Sequence, residues 1–288
     1  MNKELIGTGV ALVTPFLDNG EVDYQGLESL VNHAIDGGVE YLVVMGTTAE
    51  AATLTKEEKA AAIACINRNN NGRVPMVLGI GGNNTREVIK QIESTDLSDY
   101  TAILSVSPYY NKPTQEGIYQ HFKSIAESTE KDIILYNVPG RTGSNIEPAT
   151  TIRLANDFEN VVAIKEASPS YSQSASLLLN KPKDFLVLSG DDEYALPMTL
   201  AGGSGVISVI GQAMGEYTQM IRHALNREVD QAYEIFYKLL PLTRAIYKEG
   251  NPAGIKATLE HLNICDRNTR LPLVKASQQL SDEIKSYL

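Results

Sequence analysis

Val161-Val162-Ala163-Ile164-Lys165, four apolar residues and then a lysine, is the stretch on which the fold reading turns. A short unbroken apolar run reads as a buried strand, and unbroken rather than alternating apolarity fits a parallel sheet covered by helices. The rest of the chain repeats the pattern. Strands are expected at Gly9–Thr14, Tyr41–Met45, Met76–Ile80, Ala102–Val106, Ile133–Asn137, Val162–Lys165, Leu186–Ser189 and Val206–Val209. Successive starts lie roughly 20 to 36 residues apart, the length of one strand–helix unit. Eight such units in series is the arithmetic of a (β/α)8 TIM barrel, an α/β fold of about 250 residues. An open doubly wound sheet is the runner-up. It loses because the unit count is high and no GxGxxG follows the first strand.

Helix starts agree with this order. Thr55 with Glu58, and Asn84 with Glu87, have the spacing of capping boxes. Asp23, after the Asp18-Asn19-Gly20 turn, is placed to cap the first helix. Beyond about residue 212 the strand signal stops, and helices are expected near 215–226, 229–248, 253–262 and 271–287. Asn251-Pro252 reads as an N-cap followed by proline at the first helical position. The expected organisation is a barrel over 1–224 followed by a small C-terminal helical region over 225–288.

With 288 residues, 43% hydrophobic, the chain has material for a large core. Its net charge of −10 disfavours nucleic acid and anionic membrane as partners. Cys65 and Cys265 are far apart and form no CxxC, as expected of reduced thiols in a cytoplasmic protein. The Leu5–Phe16 stretch is broken by Thr14-Pro15 and reads as a first strand rather than a signal peptide. No apolar stretch is long enough to span a bilayer.

A barrel does its chemistry where the strands end. Those ends offer Gly46-Thr47-Thr48-Ala49-Glu50, Ser107-Pro108-Tyr109-Tyr110, Tyr136 through Gly143, Lys165-Glu166-Ala167-Ser168, Ser189-Gly190-Asp191-Asp192 and Gly205 through Ser208. A lysine held in a partly dry pocket gives up its ammonium form more readily, and the free amine attacks ketones and aldehydes. Lys165 is therefore either such a nucleophile or a strand-end lysine in solvent. Arg141 either grips a carboxylate in bidentate fashion or makes a surface ion pair. Tyr136 either presents its hydroxyl at the mouth or packs inside the barrel. Thr47 and Thr48 lie at a strand-to-helix junction suited to a carboxylate. His33, His121, His223 and His261 all fall in helical stretches, which leaves the strand ends poor in metal ligands, and no metal is expected. Asp191-Asp192 reads as an N-cap with a favourable dipole contact rather than a magnesium site. No Lys or Arg lies in the last two strand-end loops, which disfavours a phosphosugar.

The strings GTTAEAATL (46–54), SPYYNKPTQEGIYQHF (107–122), YNVPGRTG (136–143), IKEAS (164–168), SGDD (189–192) and GVISV (205–209) occur in this order. With GTGVALVTPF (7–16), NPAGIKATL (251–259) and RLPL (270–273), they cover essentially the whole chain. In these motifs the chain resembles the dihydrodipicolinate synthases, or 4-hydroxy-tetrahydrodipicolinate synthases. That family belongs to the pyruvate-dependent class I aldolases, which include N-acetylneuraminate lyase.

The resemblance implies a lyase of the diaminopimelate and lysine pathway that condenses pyruvate with aspartate semialdehyde. It implies a Schiff base on Lys165 in place of any cofactor, and a proton relay of Tyr136, Thr47 and Tyr110. It implies that Tyr110 reaches in from a neighbouring subunit of a homotetramer built from two tight dimers. Thr48 would hold the pyruvate carboxylate, Arg141 the second substrate's carboxylate, and Gly190 and Ile207 would shape the pocket through backbone groups. Arg141 and Thr47 separate this reading from the alternative, a pyruvate-forming lyase of N-acetylneuraminate or a 2-keto-3-deoxy sugar acid. A barrel that only senses a keto acid is a further alternative. Ala49 stands where the family usually has glycine, and its methyl is expected to shift the loop slightly. Lysine-inhibited members bind lysine at positions matching Ala51, Ala52, Lys56, Lys59, Asn83, Glu87 and Tyr109. Lys56 and Lys59 add cations that would repel it, so feedback inhibition is expected to be weak or absent.

Overall fold

Gly9 and Tyr41 show how the strands close on one another. A Cβ on Gly9 would lie 2.0 Å from the Tyr41 ring, so the ring of one strand occupies the space that the neighbouring strand's missing side chain leaves. Tyr41 is fully buried, clusters with Leu5 on the inner side of the sheet, and has its phenol pushed far above the usual pKa by burial. Gly205 serves the same purpose by a different route. It takes φ +124°, and a Cβ there would sit 1.9 Å from the Gly7 carbonyl oxygen.

The computed structural model describes residues 3–288, so the first two residues of the expected barrel lie outside it. The strands are β1 (Gly7–Ala11), β2 (Tyr41–Val44), β3 (Met76–Gly79), β4 (Ala102–Val106), β5 (Asp132–Asn137), β6 (Val161–Glu166), β7 (Leu186–Ser189) and β8 (Gly205–Ser208). They form one closed parallel barrel in chain order, with β8 returning to β1 through Gly9↔Ile207. The chain is thus a (β/α)8 TIM barrel followed by C-terminal helices. Inward-facing Ala11, Val43, Val77, Leu104, Ile134, Ala163, Leu188 and Ile207 fill the barrel, and a second apolar layer lies between strands and helices. Each strand is apolar on both faces because both are covered.

The helices are α1 (Tyr24–Asp36), α2 (Lys56–Asn70), α3 (Thr85–Ser94), α4 (Gln115–Ala126), α5 (Pro139–Thr142), α6 (Pro148–Asp157), α7 (Tyr171–Asn180), α8 (Ala195–Leu200), α9 (Gly215–Leu225), α10 (Val229–Ala245), α11 (Ala253–His261) and α12 (Gln278–Lys285). The Asp23 carboxylate accepts from the Gly26 N–H, and Thr55 with Glu58 completes a capping box, each worth about 1 kcal/mol. Three expectations need correction. Asn84 precedes α3 but makes no side-chain cap, so no capping box forms with the exposed Glu87. Pro252 occupies the cap position of α11 itself, one residue earlier than expected, and follows a cis bond from Asn251. The last helix starts only at Gln278, where Ser277 caps it, and exposed Leu271 and Val274 precede it in irregular backbone around Pro272.

Both cysteines are free and buried. The four histidines lie in α1, α4, α9 and α11 as expected. His121 is packed against Phe122 and hydrogen-bonded to the Thr85 hydroxyl, and burial pushes its pKa down to about 4. Among the described residues no cluster of His, Cys, Asp and Glu could hold a metal, and no helix is long and apolar enough to cross a membrane.

Candidate active site

Lys165 and Tyr136 are register partners near the ends of β6 and β5, and both point into the barrel. Lys165 is 5% exposed, which excludes a lysine extended into solvent, and Tyr136 is 6% exposed. The Lys165 Nζ lies 4.4 Å from the Tyr136 ring centroid. Gly190, after β7, lines the same space. A Cβ there would stand 3.1 Å from Lys165 Cε and Cγ, so the glycine leaves the lysine its channel. The Gly190 N–H is bound to the Glu166 carbonyl at 2.7 Å, which ties the loop after β7 to the end of β6. Ile207 is buried on the inner face of β8.

The outer side of β6 holds these two residues in place. Glu166 points away from the barrel and is buried. Its carboxylate accepts from Asn137 at 3.0 Å, Gln173 at 2.8 Å and the Ser168 N–H at 2.6 Å. Asn137 also donates to Asn145 and accepts from the Ile146 N–H, while Asn145 donates to Gln173. A buried carboxylate satisfied by amide donors locks its neighbours in one geometry. Here it ties the end of β5, and so Tyr136, to the end of β6, and so Lys165.

After β2 the chain makes a short turn at Thr47–Ala49. Its first hydrogen bond runs from the Ala49 N–H to the Gly46 carbonyl at 3.2 Å. The N–H groups of Thr47 and Thr48 precede that bond and have no acceptor within the turn. Thr48 is buried and its hydroxyl accepts from Asn251 Nδ2 at 2.9 Å, whereas Thr47 is exposed. Ala49 is buried in a right-handed turn, and its carbonyl accepts from the Thr14 hydroxyl at 2.7 Å. The position places no demand for glycine on the backbone; it is Glu50 that takes the left-handed conformation, at φ +53°.

Arg141 lies in the single-turn helix α5, exposed, with one side-chain hydrogen bond among the described residues, 3.4 Å from its guanidinium to the Asn251 carbonyl. Among the described residues no carboxylate pairs with it, which removes the surface ion pair as its explanation. The 141–142 loop is joined to the loop after β4 by the Tyr110 N–H to Thr142 carbonyl bond of 3.1 Å. Tyr110 itself has φ +72° and is 87% exposed. The single chain brings Lys165, Tyr136 and Gly190 together, but it does not bond the hydroxyls of Tyr136, Thr47 and Tyr110 to one another.

Of the Asp191-Asp192 pair, the first caps as expected and the second does not. Asp191 accepts from the N–H groups of Glu193 and Tyr194, capping the turn before α8, and burial raises its pKa. Asp192 is a buried hub. It accepts from the hydroxyls of Ser208 at 2.6 Å and Tyr247 at 2.8 Å and from the N–H groups of Val209 and Ile210. Bonds to a charged group contribute about 1.5–3 kcal/mol each, so this carboxylate fixes the loop after β8 against the end of β7 and the segment that follows α10. Of the positions matched to a lysine site, Asn83, Glu87, Ala52, Lys56 and Tyr109 are exposed, Ala51 and Lys59 are half-buried, and Asn83 donates to the Tyr109 carbonyl at 3.2 Å.

Residues 4–288 match the model of the dihydrodipicolinate synthetase family. A 4-hydroxy-tetrahydrodipicolinate synthase of Flavobacterium psychrophilum is 56% identical over 99% of this chain and 98% of its own length. A solved monomeric dihydrodipicolinate synthase variant superposes with TM-score 0.95 at 37% identity, covering 99% of this chain and 96% of that one. The chloride-inhibited dihydrodipicolinate synthase of Acinetobacter baumannii, solved with pyruvate, gives TM-score 0.94 at 38% identity, covering 98% and 97%. With the family model spanning all but the first three residues, this chain is a member of the dihydrodipicolinate synthetase family.

Proposed function

We propose that this chain is a lyase that condenses pyruvate with L-aspartate 4-semialdehyde to 4-hydroxy-tetrahydrodipicolinate, the committing step towards diaminopimelate and lysine. The observation that carries the reading is a buried lysine beside a tyrosine at the barrel mouth, with an arginine at the rim that has no carboxylate of its own.

The Lys165 amine attacks the keto carbon of pyruvate, water leaves, and an iminium forms. The iminium is the electron sink, so the scheme uses no separate cofactor. A methyl proton is lost and the resulting enamine carbon attacks the aldehyde of the second substrate. That substrate's own amine then displaces Lys165 and closes the ring. Each step moves a proton over a short distance, which suits hydroxyls of Tyr136, Thr47 and Tyr110 acting in relay. Thr48 and the free N–H groups of its turn receive the pyruvate carboxylate, and Arg141 receives the carboxylate of aspartate semialdehyde. The carbonyl of Gly190 and the backbone of Ile207 bound the pocket. Tyr110, exposed in the single chain, completes the relay of a neighbouring subunit in a dimer, and two dimers form the homotetramer. The enzyme works in the cytoplasm.

The initial rate of condensation, read through a reductase that consumes the product with NADPH, tests the reading. A robust rate is expected, and folded protein without it would overturn the assignment. Feedback by lysine is weak or absent, because Lys56 and Lys59 place two cations among the positions matched to the inhibitor. Calorimetric titration with lysine should show little heat at sub-millimolar ligand, and tight binding would refute this.

A further inference from the structure

Glu50 and Lys256 form the most buried ion pair among the described residues, with side chains 1% and 0% exposed and 2.6 Å between Oε1 and Nζ. Both partners are held by further hydrogen bonds. Glu50 Oε2 accepts from the Arg270 N–H at 3.0 Å, and Lys256 Nζ also donates to the Asn268 carbonyl at 2.7 Å. The ammonium nitrogen lies 4.3 Å from the Phe16 ring centroid. Two buried charges are a poor way to stabilise a fold, since apolar residues of similar volume serve as well or better. What a buried pair does provide is one direction and one distance.

Direction matters at this point in the chain. Glu50 ends the turn that carries Thr47 and Thr48, and its N–H closes that turn on the Thr47 carbonyl at 3.1 Å. It does so at φ +53°, a left-handed conformation that a residue with a side chain holds only when its surroundings insist. The carboxylate is met by Lys256 of α11 and by the Arg270 N–H. Five residues before Lys256, Asn251 holds the Thr48 hydroxyl from the other side. The C-terminal segment thus grips the turn at its middle, Thr48, and at its end, Glu50.

We propose that the Glu50–Lys256 pair is a positioning device, which holds the Thr47–Thr48 turn in register for the pyruvate carboxylate. The proposal rests on the assignment of Thr48 to that carboxylate. Neither residue touches substrate; they act through the turn.

The test is steady-state kinetics on Glu50→Leu/Lys256→Met, which removes both charges together and leaves none stranded, with thermal unfolding measured alongside. The expected result is a KM for pyruvate raised at least about tenfold, as a displaced binding group predicts, with a midpoint close to that of the parent. The KM for aspartate semialdehyde should move by less than about threefold, because Arg141 is carried by another loop. A pair with only a structural role would instead lower the midpoint and leave both KM values of the folded protein alone, and that outcome overturns the proposal. Should the double variant not fold, Glu50→Gln, which keeps the shape and the acceptor for Arg270, carries the same comparison. Thr48→Val is the control for the premise. If it leaves the pyruvate KM unchanged, the carboxylate assignment fails; if it raises that KM while the paired variant does not, only the positioning role fails.

Discussion

With Lys165 replaced by alanine, turnover is expected to fall at least about 10⁴-fold, the order seen when a covalent nucleophile is removed. The fold should survive. Lys165 is buried, yet among the described residues its amine makes no hydrogen bond or ion pair, and its neighbour is the Tyr136 ring. The loss is therefore chemical rather than structural, and thermal unfolding will separate the two. Treating the parent protein with pyruvate and borohydride should reduce the iminium to a secondary amine and add a pyruvate-derived mass to the peptide containing Lys165. The alanine variant should take up none. If the variant kept more than about a hundredth of parental turnover, the Schiff base on Lys165 would be ruled out.

Arg141→Ala should cost about 10²-fold in kcat/KM for aspartate semialdehyde, or about 3 kcal/mol, the range of a lost bidentate contact between guanidinium and carboxylate. The substitution removes an exposed side chain with a single long contact, so stability should change little. Schiff-base formation with pyruvate should be untouched, because the first half of the reaction does not involve the second carboxylate. The contrast between the two variants is what gives them weight, since one silences both half-reactions and the other only the second. A fall of less than about threefold would remove the carboxylate role of Arg141 and favour cleavage of a sugar acid on the same lysine.

The fold could be read because its signal is local. Each apolar run, such as Met76–Gly79 or Leu186–Ser189, announces its strand, and the strands differ from the expected bounds by no more than three residues at either end. Lys165, Tyr136, Thr48 and Arg141 could be picked out because each lies at the end of a strand or within four residues of one, in motifs that carry the family resemblance. The supports behind them could not. Asn251 looked like a helix start, and nothing near it in the chain says that its amide reaches Thr48. Asp192 looked like half of a cap, while its partners Ser208, Val209, Ile210 and Tyr247 lie on later elements. Glu50 and Lys256 are 206 positions apart, so only the folded chain shows that they meet. The Asn84 box failed for a related reason. Its spacing is right, but spacing is necessary for a cap and not sufficient.

The amide and carboxylate mesh around Glu166 has a consequence for how the mouth can open. It turns the loops that follow β5 and β6 into part of the framework, since Ile146, Ser168 and Gln173 all hang from the same few side chains. The loop after β8 is pinned in the same way by Asp192. Beside β5 the loop after β4 is held by single bonds instead, from Asn83 to the Tyr109 carbonyl and from the Tyr110 N–H to the Thr142 carbonyl. Tyr109 and Tyr110 stand in solvent there, and both Tyr110 and Lys112 sit in left-handed backbone. Opening the mouth on that side breaks fewer bonds. A heavily bonded jaw adjoins a lightly bonded one, and the lightly bonded jaw carries Tyr110, the tyrosine proposed to serve a neighbouring chain.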